Sequence, residues 1–389
     1  MTSKERIKQI INHQEADRVP YDLGGTTVTA ITRNAYIAAM HARNMAPDIK
    51  TSDVDFIQQI IIPSDDNLDY LKADTRRIGA NRIPGIRWNE LKNLDEIQIK
   101  DIYGCTWNYQ KEKDSYFNQA SFPLESFDML SQGIPTIKNI HWDEYKPYLY
   151  NALNNQITNT DRYAVIADRN SAGLTENSLR VRGYEKWYMD TIIEPEAVEE
   201  LLEKFTIDKI KYWDLVIDWA IQNNHTQNIQ VISEADDLGS QSTTIIDPEQ
   251  LRSMVIPRWK RIFQHIKSRM PHVKVFMHSC GAIREIIPDF IEAGVDILNP
   301  VQFTASGMEL KDLKKDFGND ITFWGGGVDT QNTLNHGSPQ MVKDEVRKIL
   351  DIMAPGGGFV FAPVHNVQDD VNPDNFWAMW DALQEYGKY

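Results

Sequence analysis

The sequence predicts an α/β fold, a closed (β/α)8 TIM barrel, and three features carry that expectation. Short apolar runs alternate with longer amphipathic segments over most of the chain, as in a parallel sheet covered by helices. The runs number eight, which favours a closed barrel over an open sheet. Their C-terminal ends carry the polar and metal-ligating residues, where barrel enzymes keep them. A single domain over residues 1–389, a barrel with one insertion, is the simplest expectation.

Residues 1–16 are polar and amphipathic, with Thr2 and Glu5 in capping-box spacing ahead of Ile7, Ile10 and Ile11. The pattern predicts a surface helix, and it lacks the apolar core of a signal peptide. Tyr21-Asp22-Leu23-Gly24-Gly25 reads as a first strand, followed by a helical pattern to about Asn44. Residues 70–74 are a weaker second strand. The alternation then stops. Residues 78–157 include a part rich in Tyr, Trp, Asn and Lys, and 101–107 with Tyr116-Phe117 suggest an antiparallel excursion, so an insertion between strands 2 and 3 is expected. From Arg162 the rhythm is regular, with strands expected at 163–167, 229–233, 273–277, 295–299, 321–325 and 358–363. Between them, 194–223 is long and amphipathic, and 248–270 opens with Pro after Asp247. Ile283, Ile286, Ile287, Phe290 and Ile291 line up before Gly294, with Pro288 expected to delay or kink that helix.

Composition narrows the function classes. Lysine plus arginine total 41 against 56 acidic residues, a net charge of −15, which argues against nucleic acid or an anionic membrane as partner. No stretch approaches the ~18 uninterrupted apolar residues of a membrane span. Cys105 and Cys280 are too far apart in sequence to suggest a disulfide framework. In a reducing, cytoplasmic setting Cys280 is free to act as a ligand.

The chemistry centres on Val273-Lys274-Val275-Phe276-Met277-His278-Ser279-Cys280, followed by Gly281. Positions two apart at a strand end point the same way, and an imidazole beside a thiol is how a soft metal such as Zn²⁺ is held. His365 is the natural third ligand, because closure brings the mouth of the last strand within reach. Glu234 or Asp236 can supply a fourth. Other strand ends bring Asp22, Asp74, Asp168, Asp237, Asn299 with Gln302, and Asp329 to the same face, although any one acid alone is more often an N-cap or a solvating group. Gly325-Gly326-Gly327 and Gly356-Gly357-Gly358 match neither a P-loop nor a dinucleotide fingerprint. The first run would let a bulky ligand approach the backbone. Trp107, Tyr116, Trp187, Tyr188 and Trp324 are expected mostly in the core, with those of the insertion available to line a pocket for a flat substrate.

Several of these stretches resemble the uroporphyrinogen decarboxylase superfamily. They are Asn12-His13-Gln14-Glu15-Ala16-Asp17-Arg18-Val19-Pro20, Asp237-Leu238-Gly239-Ser240-Gln241, His278-Ser279-Cys280-Gly281, residues 291–302, and Gly357-Gly358-Phe359-Val360 with His365-Asn366 and Asn372-Pro373. More closely, the chain resembles that superfamily's corrinoid-linked methyltransferase branch. The resemblance implies a (β/α)8 barrel, a Zn²⁺ held by His-x-Cys and a distant Cys, and a corrinoid protein docking at the barrel mouth. Two departures refine it. The Arg-rich segment that grips substrate carboxylates in the decarboxylases is replaced by Asp22-Leu23-Gly24-Gly25-Thr26-Thr27, which speaks against porphyrin decarboxylation. Thiol methyltransferases carry Cys where this chain has His365, and two His with one Cys leave a harder, more electrophilic metal.

The resemblance therefore implies a zinc-dependent methyltransferase that moves a methyl group from a methoxylated aromatic substrate to the Co(I) corrinoid (cobalamin) of a partner protein. His278, Cys280 and His365 would hold zinc, with Glu234 as fourth ligand or proton relay. Asp236, Asp237 and Asp168 would be the catalytic polar lining, and Asp22, Asn299, Gln302 and Trp324 the substrate contacts. The chain has no corrinoid-binding Asp-x-His-x-x-Gly segment, so the corrinoid is expected on the partner. Methyl transfer to a thiol such as coenzyme M, a porphyrin-type decarboxylase and a tetrapyrrole-binding module without chemistry stand as alternatives, and a homodimer is left open.

Overall fold

A computed structural model describes residues 1–80, 91, 94–111, 116–129 and 142–389. Its central sheet has seven parallel strands: β1 (Thr75–Ile78), β2 (Ala164–Ala167), β3 (Ile229–Ala235), β4 (Lys274–His278), β5 (Ile297–Asn299), β6 (Thr322–Trp324) and β7 (Phe359–Val360). Each is hydrogen-bonded to the next in sequence order, and pairings such as His278 with Asn299 align their C-terminal ends on one face. The sheet curls until residues 20–22 bond to both of its edges. Asp22 N donates to Phe361 O (2.9 Å), Phe361 N to Pro20 O (2.9 Å) and Asp74 N to Tyr21 O (2.8 Å). The fold is TIM-barrel-like. The first expected strand is reduced to this bridge of Tyr21 with Phe361, because Gly24, at φ +83°, turns the chain away at once.

Two expectations change at the N-terminal end of the sheet. Residues 65–70 are helical, not the approach to a strand: Ser64 caps Asp65–Tyr70, with Asp65 and Asp66 in the first turn. The strand starts only at Thr75, so Asp74 lies at the end opposite the mouth. There it pairs with Arg6 (2.6 Å) and Arg18 (2.8 Å). The helix Ser3–Ile10, expected on the surface, instead plugs this end, with Ile7 and Ile10 fully buried. Its capping box of Thr2 and Glu5 forms as its spacing indicates.

Side-chain alternation assigns the two faces of the sheet. Ala164, Ile166, Val231, Phe276, Ile297, Trp324 and Val360 pack with Ile7 and Ile10 into the barrel interior. Val165, Ala167, Ile232, Val275, Met277, Leu298 and Phe323 belong to the cluster shared with the surrounding helices.

Between β1 and β2 lies an antiparallel sheet of Glu96–Lys100, Thr106–Gln110 and Asn118–Gln119, followed by the helix Trp142–Gln156. The rest of the expected 78–157 interruption includes 81–90, 92, 93, 112–115 and 130–141, outside the described residues. A second antiparallel sheet, Ile31–Thr32, Ile60–Pro63 and Ile49–Asp55, was not legible. The long helix Pro195–Gln222 forms as its periodicity indicates, and Pro288 sits in the first turn of Ile287–Ala293, where a missing N–H is tolerated. Among the described residues no helix is long and apolar enough to cross a membrane.

Candidate active site

β4 ends at His278, and Cys280 follows at the mouth of the barrel, its Sγ 3.4 Å from His278 Nε2. His365, in the turn after β7, brings its ring to 5.5 Å from that of His278. One ligand atom from each of the three lies within 4.8 Å of the others. A tetrahedral zinc with bonds of about 2.0–2.3 Å has ligand–ligand edges of roughly 3.3–3.8 Å, so adjustments of about an ångström would close the set.

Backbone crossings hold this geometry. Gly281 has φ +89°, and a Cβ there would lie 2.5 Å from the backbone of Gly239 and from Ser240 O. Ala282 N donates to Ser240 O (2.7 Å) and Gly281 N to Gln302 Oε1 (2.8 Å), so the loops after β3, β4 and β5 clasp one another. Gln302, expected as a substrate contact, braces these loops; its Nε2 continues to Gln241 Oε1 (3.1 Å). Asp237 Oδ1 accepts the Cys280 N–H (2.8 Å) and lies 3.5 Å from His278 Nε2. Asn299 Oδ1 is 2.5 Å from His278 Nδ1, while its Nδ2 donates to Trp324 O (2.6 Å). A proton on Nδ1 shared with Asn299 leaves Nε2 facing Cys280, so Asn299, expected as a substrate contact, orients an imidazole.

Burial lowers the pKa of both His278 and His365, so both rings are neutral at pH 7, the form that binds a metal. Burial also raises Cys280 well above the usual thiol range, with the Asp237 charge adding to it. A bound cation would therefore be the group that holds a thiolate there. Two neutral imidazoles, a thiol and an adjacent carboxylate fit a borderline-soft dication such as zinc.

Glu234 does not join this cluster. On β3, Ser233 faces the interior and donates to Asp168 Oδ1 (2.7 Å), so Glu234 faces the helices. It accepts from Lys209 Nζ (2.6 Å) and Trp213 Nε1 (2.7 Å) of the helix Pro195–Gln222. Asp236 accepts from the N–H groups of Thr175 and Glu176 (both 3.1 Å) and from Trp259 Nε1 (3.1 Å), anchoring the start of the helix Leu174–Arg182. Burial pushes Asp236 up to about 6.

Asp168 is also fully buried, accepting from Arg77 Nε (2.7 Å), Ser233 Oγ and Thr27 N (3.0 Å). Burial works to raise its pKa, but the charges of Arg77 and Arg169 together with the hydrogen bonds from Arg77 and Ser233 hold it below the ordinary value. Asp22 lies inside the barrel, bonded to Trp324 Nε1 (2.8 Å), Thr75 Oγ1 (2.5 Å) and Gly25 N (2.8 Å). Both Asp22 and Trp324, expected as substrate contacts, are wholly buried in the barrel interior. The approach expected at Gly325-Gly326-Gly327 is occupied by the chain itself, since Cβ atoms there would strike Asn299, Val301 and Phe361. Asp329 closes a turn onto Gln331 N and Asn332 Nδ2.

A cavity of about 580 Å³ is lined by Ile57, Trp107, Tyr116, Phe117, Tyr184 and Asn366 among others, so Trp107 and Tyr116 do line a pocket. Asn366 ties its wall to the loop of His365. Arg169 at the end of β2 went unremarked in the sequence; the signal was its place beside Asp168 at a strand end.

The TIM-barrel-like sheet thus carries His-x-Cys at one strand end and a His beyond the last strand, gathered at its C-terminal mouth. The Uroporphyrinogen decarboxylase (URO-D) family model matches residues 101–386, and the chain belongs to that family. It is 21% identical over 197 residues to a "Uroporphyrinogen decarboxylase" of Vesicomyosocius okutanii, covering 50% of this chain and 51% of the relative. A "Uroporphyrinogen decarboxylase" of Chloroherpeton thalassium is 25% identical over 148 residues, 37% of this chain and 40% of the relative. The chain thus spans about half or less of the length of these relatives. A solved "methyltransferase from Methanosarcina mazei" superposes with TM-score 0.63 and 16% identity over 99% of both chains, a likeness of fold.

Proposed function

We propose that this protein is a zinc-dependent methyltransferase that moves the methyl group of a methoxylated aromatic substrate to the Co(I) corrinoid of a partner protein. The observation that carries the reading is the convergence of His278, Cys280 and His365, with Asp237 beside them, at the barrel mouth. Membership of the uroporphyrinogen decarboxylase family and the fold shared with a methyltransferase support it.

His278, Cys280 and His365 would hold the zinc, with Asp237 in reach of a fourth position. Bound there, the metal would supply Lewis acidity toward an ether oxygen. Asn299 fixes the His278 ring so that Nε2 faces the cluster. Asp237, with 43% of its side chain exposed, links the cluster to solvent, from which the leaving phenolate takes its proton. The aromatic cavity beside the His365 loop receives the flat ring. In such a transfer the C–O bond would break with its electron pair staying on oxygen, and the partner's Co(I) corrinoid would supply the electron pair that takes up the methyl carbon.

The test is incubation of zinc-loaded protein with a Co(I) corrinoid carrier and a panel of methoxyaromatics, following the cobalt spectrum. About one zinc per chain and methyl-cobalt formation are expected; a protein that takes up no zinc and methylates no corrinoid overturns the reading. His365→Cys separates the direction of transfer. It adds a thiolate and should slow ether cleavage with zinc retained. Faster thiol methylation with unchanged ether cleavage would instead select the thiol methyltransferase reading. The names of the relatives favour a second reading, porphyrin decarboxylation, which turnover of uroporphyrinogen by the wild-type protein would establish.

A further inference from the structure

We propose that the cavity of about 580 Å³ takes a neutral flat ring with a lactam edge, so that the methyl donor is a methoxylated cyclic amide; naming it as the donor rests on the methyl-transfer reading above. Two polar side chains that line this cavity carry the inference. Arg180, near the end of the helix Leu174–Arg182, has a buried Nη1 without a hydrogen-bond partner among the described residues, while its Nη2 reaches Glu176 Oε1 (3.1 Å). Gln119, in the short strand Asn118–Gln119, has a buried Oε1 that is likewise unpartnered among them.

The other end of the Gln119 amide fixes its orientation. Its Nε2 donates to Ser121 O (2.9 Å) and to Arg180 O (2.5 Å), two carbonyls that an amide oxygen could not serve. Oε1 is therefore an acceptor in want of a donor. Arg180 Nη1 can only donate, so it wants an acceptor. The bond from Gln119 to Arg180 O keeps the two residues side by side. A buried polar group left unpaired is costly, and a ligand that pairs both recovers that cost on binding.

Charge argues against an acid in this place. Glu176 already balances Arg180. Asp369 and Asp370 stand in the same lining, held by Thr32 and Asn34 and by Asn335. A carboxylate entering the cavity would thus meet more negative than positive charge. Trp107, Phe117 and Tyr184 supply apolar wall, with the Arg180 guanidinium 5.4 Å from the centre of the Trp107 ring. A neutral, flat group that presents an acceptor and a donor along one edge is an amide held within a ring. Its C=O would accept from Arg180 and its N–H would donate to Gln119.

The experiment is calorimetric binding to the protein without corrinoid, comparing 6-methoxy-2-quinolone, its N-methyl derivative, 6-methoxy-2-naphthol and 6-methoxy-2-naphthoate. Wild type is expected to bind the quinolone about tenfold or more tighter than each of the others, the margin of a buried hydrogen bond. Gln119→Met should erase the preference for N–H over N-methyl; a preference due only to the bulk of the added methyl would survive the change and overturns the proposal. Arg180→Lys keeps a cation for Glu176, so it should retain the melting temperature and weaken the quinolone about tenfold; unchanged binding overturns the proposal. Should Gln119→Met lower the melting temperature, the wild-type and Arg180→Lys measurements decide alone. Equal binding of the quinolone and its N-methyl derivative, tighter binding of the naphthoate, or no binding of any probe overturns the proposal. Naphthol bound as tightly as quinolone overturns the lactam assignment, because one hydroxyl would then serve both atoms. Because corrinoid is left out, a quinolone preference without any methyl transfer defeats the proposed function and the naming of the donor, and leaves the lactam site standing. Methyl transfer without a quinolone preference does the reverse.

Discussion

A histidine can ligate through either ring nitrogen, and at His278 the choice is made by Asn299, whose Oδ1 takes the Nδ1 proton while its Nδ2 is tied to Trp324 O. Removing that support should leave the ligand present but poorly aimed. Asn299→Ala is expected to weaken zinc binding about 10–100-fold, read by competition with a chromophoric chelator. Cys280→Ala should lose the metal outright while the melting temperature changes little, since the barrel core does not depend on a metal to fold. Cys105 provides the contrast. It is buried, with Sγ 3.2 Å from Arg180 O, and Cys105→Ala should leave zinc content unchanged.

At the scale of the element, β3 shows how alternation decides between chemistry and structure. Ser233 and Glu234 are neighbours in sequence, yet one looks into the barrel and the other into the helix Pro195–Gln222. Glu234→Ala would strand the buried Lys209, so a loss of about 3–5 kcal/mol is expected by denaturant unfolding, with zinc stoichiometry intact. A loss of zinc with unchanged stability would return Glu234 to the ligand set. On the same helix, burial pushes Asp208 up to about 7, and its Oδ2 has no hydrogen-bond partner among the described residues. Its folded pKa exceeds the unfolded value of about 3.9, so the native state holds a proton that the unfolded chain releases, and stability falls as pH rises from about 4 to about 7. Asp208→Asn should therefore raise the melting temperature at pH 8 and leave it nearly unchanged at pH 4. Equal shifts at both pH values would show that its charge is not the cause.

At the scale of the molecule, the barrel has a closed end and a working end. Arg6 and Arg18 meet Asp74 beneath the sheet, and Ile7 and Ile10 fill its base. The ligand cluster lies at the other end of the strands. Ile7→Ala should cost about 2–5 kcal/mol of stability, as a cavity in a packed interior does. Zinc affinity should not change, because the packing of the base does not enter the geometry of the mouth. Parallel measurements of unfolding and of zinc binding on the one variant check both halves of that statement.

The repeat of strand and helix, the His278-x-Cys280 pair and the third imidazole at His365 were all legible in the sequence. Each depends on local periodicity, or on the single topological fact that a curled sheet brings its strand ends together. The roles of the acids were not legible. Glu234, Asp236 and Asp168 look alike in sequence, but Lys209, Trp213, Trp259 and Arg77 engage them from distant segments, whereas Asp237 lies beside His278 and Cys280. The weak strand expected at 70–74 failed for a nearer reason: Ser64 and two acids start a helix that carries Asp74 to the closed end. Period and residue type are properties of a short window of chain, so the sequence by itself determined the barrel pattern and the convergence of His278, Cys280 and His365. Whether a buried carboxylate is neutralised or free depends on which charges pack against it, and only the tertiary structure decided that.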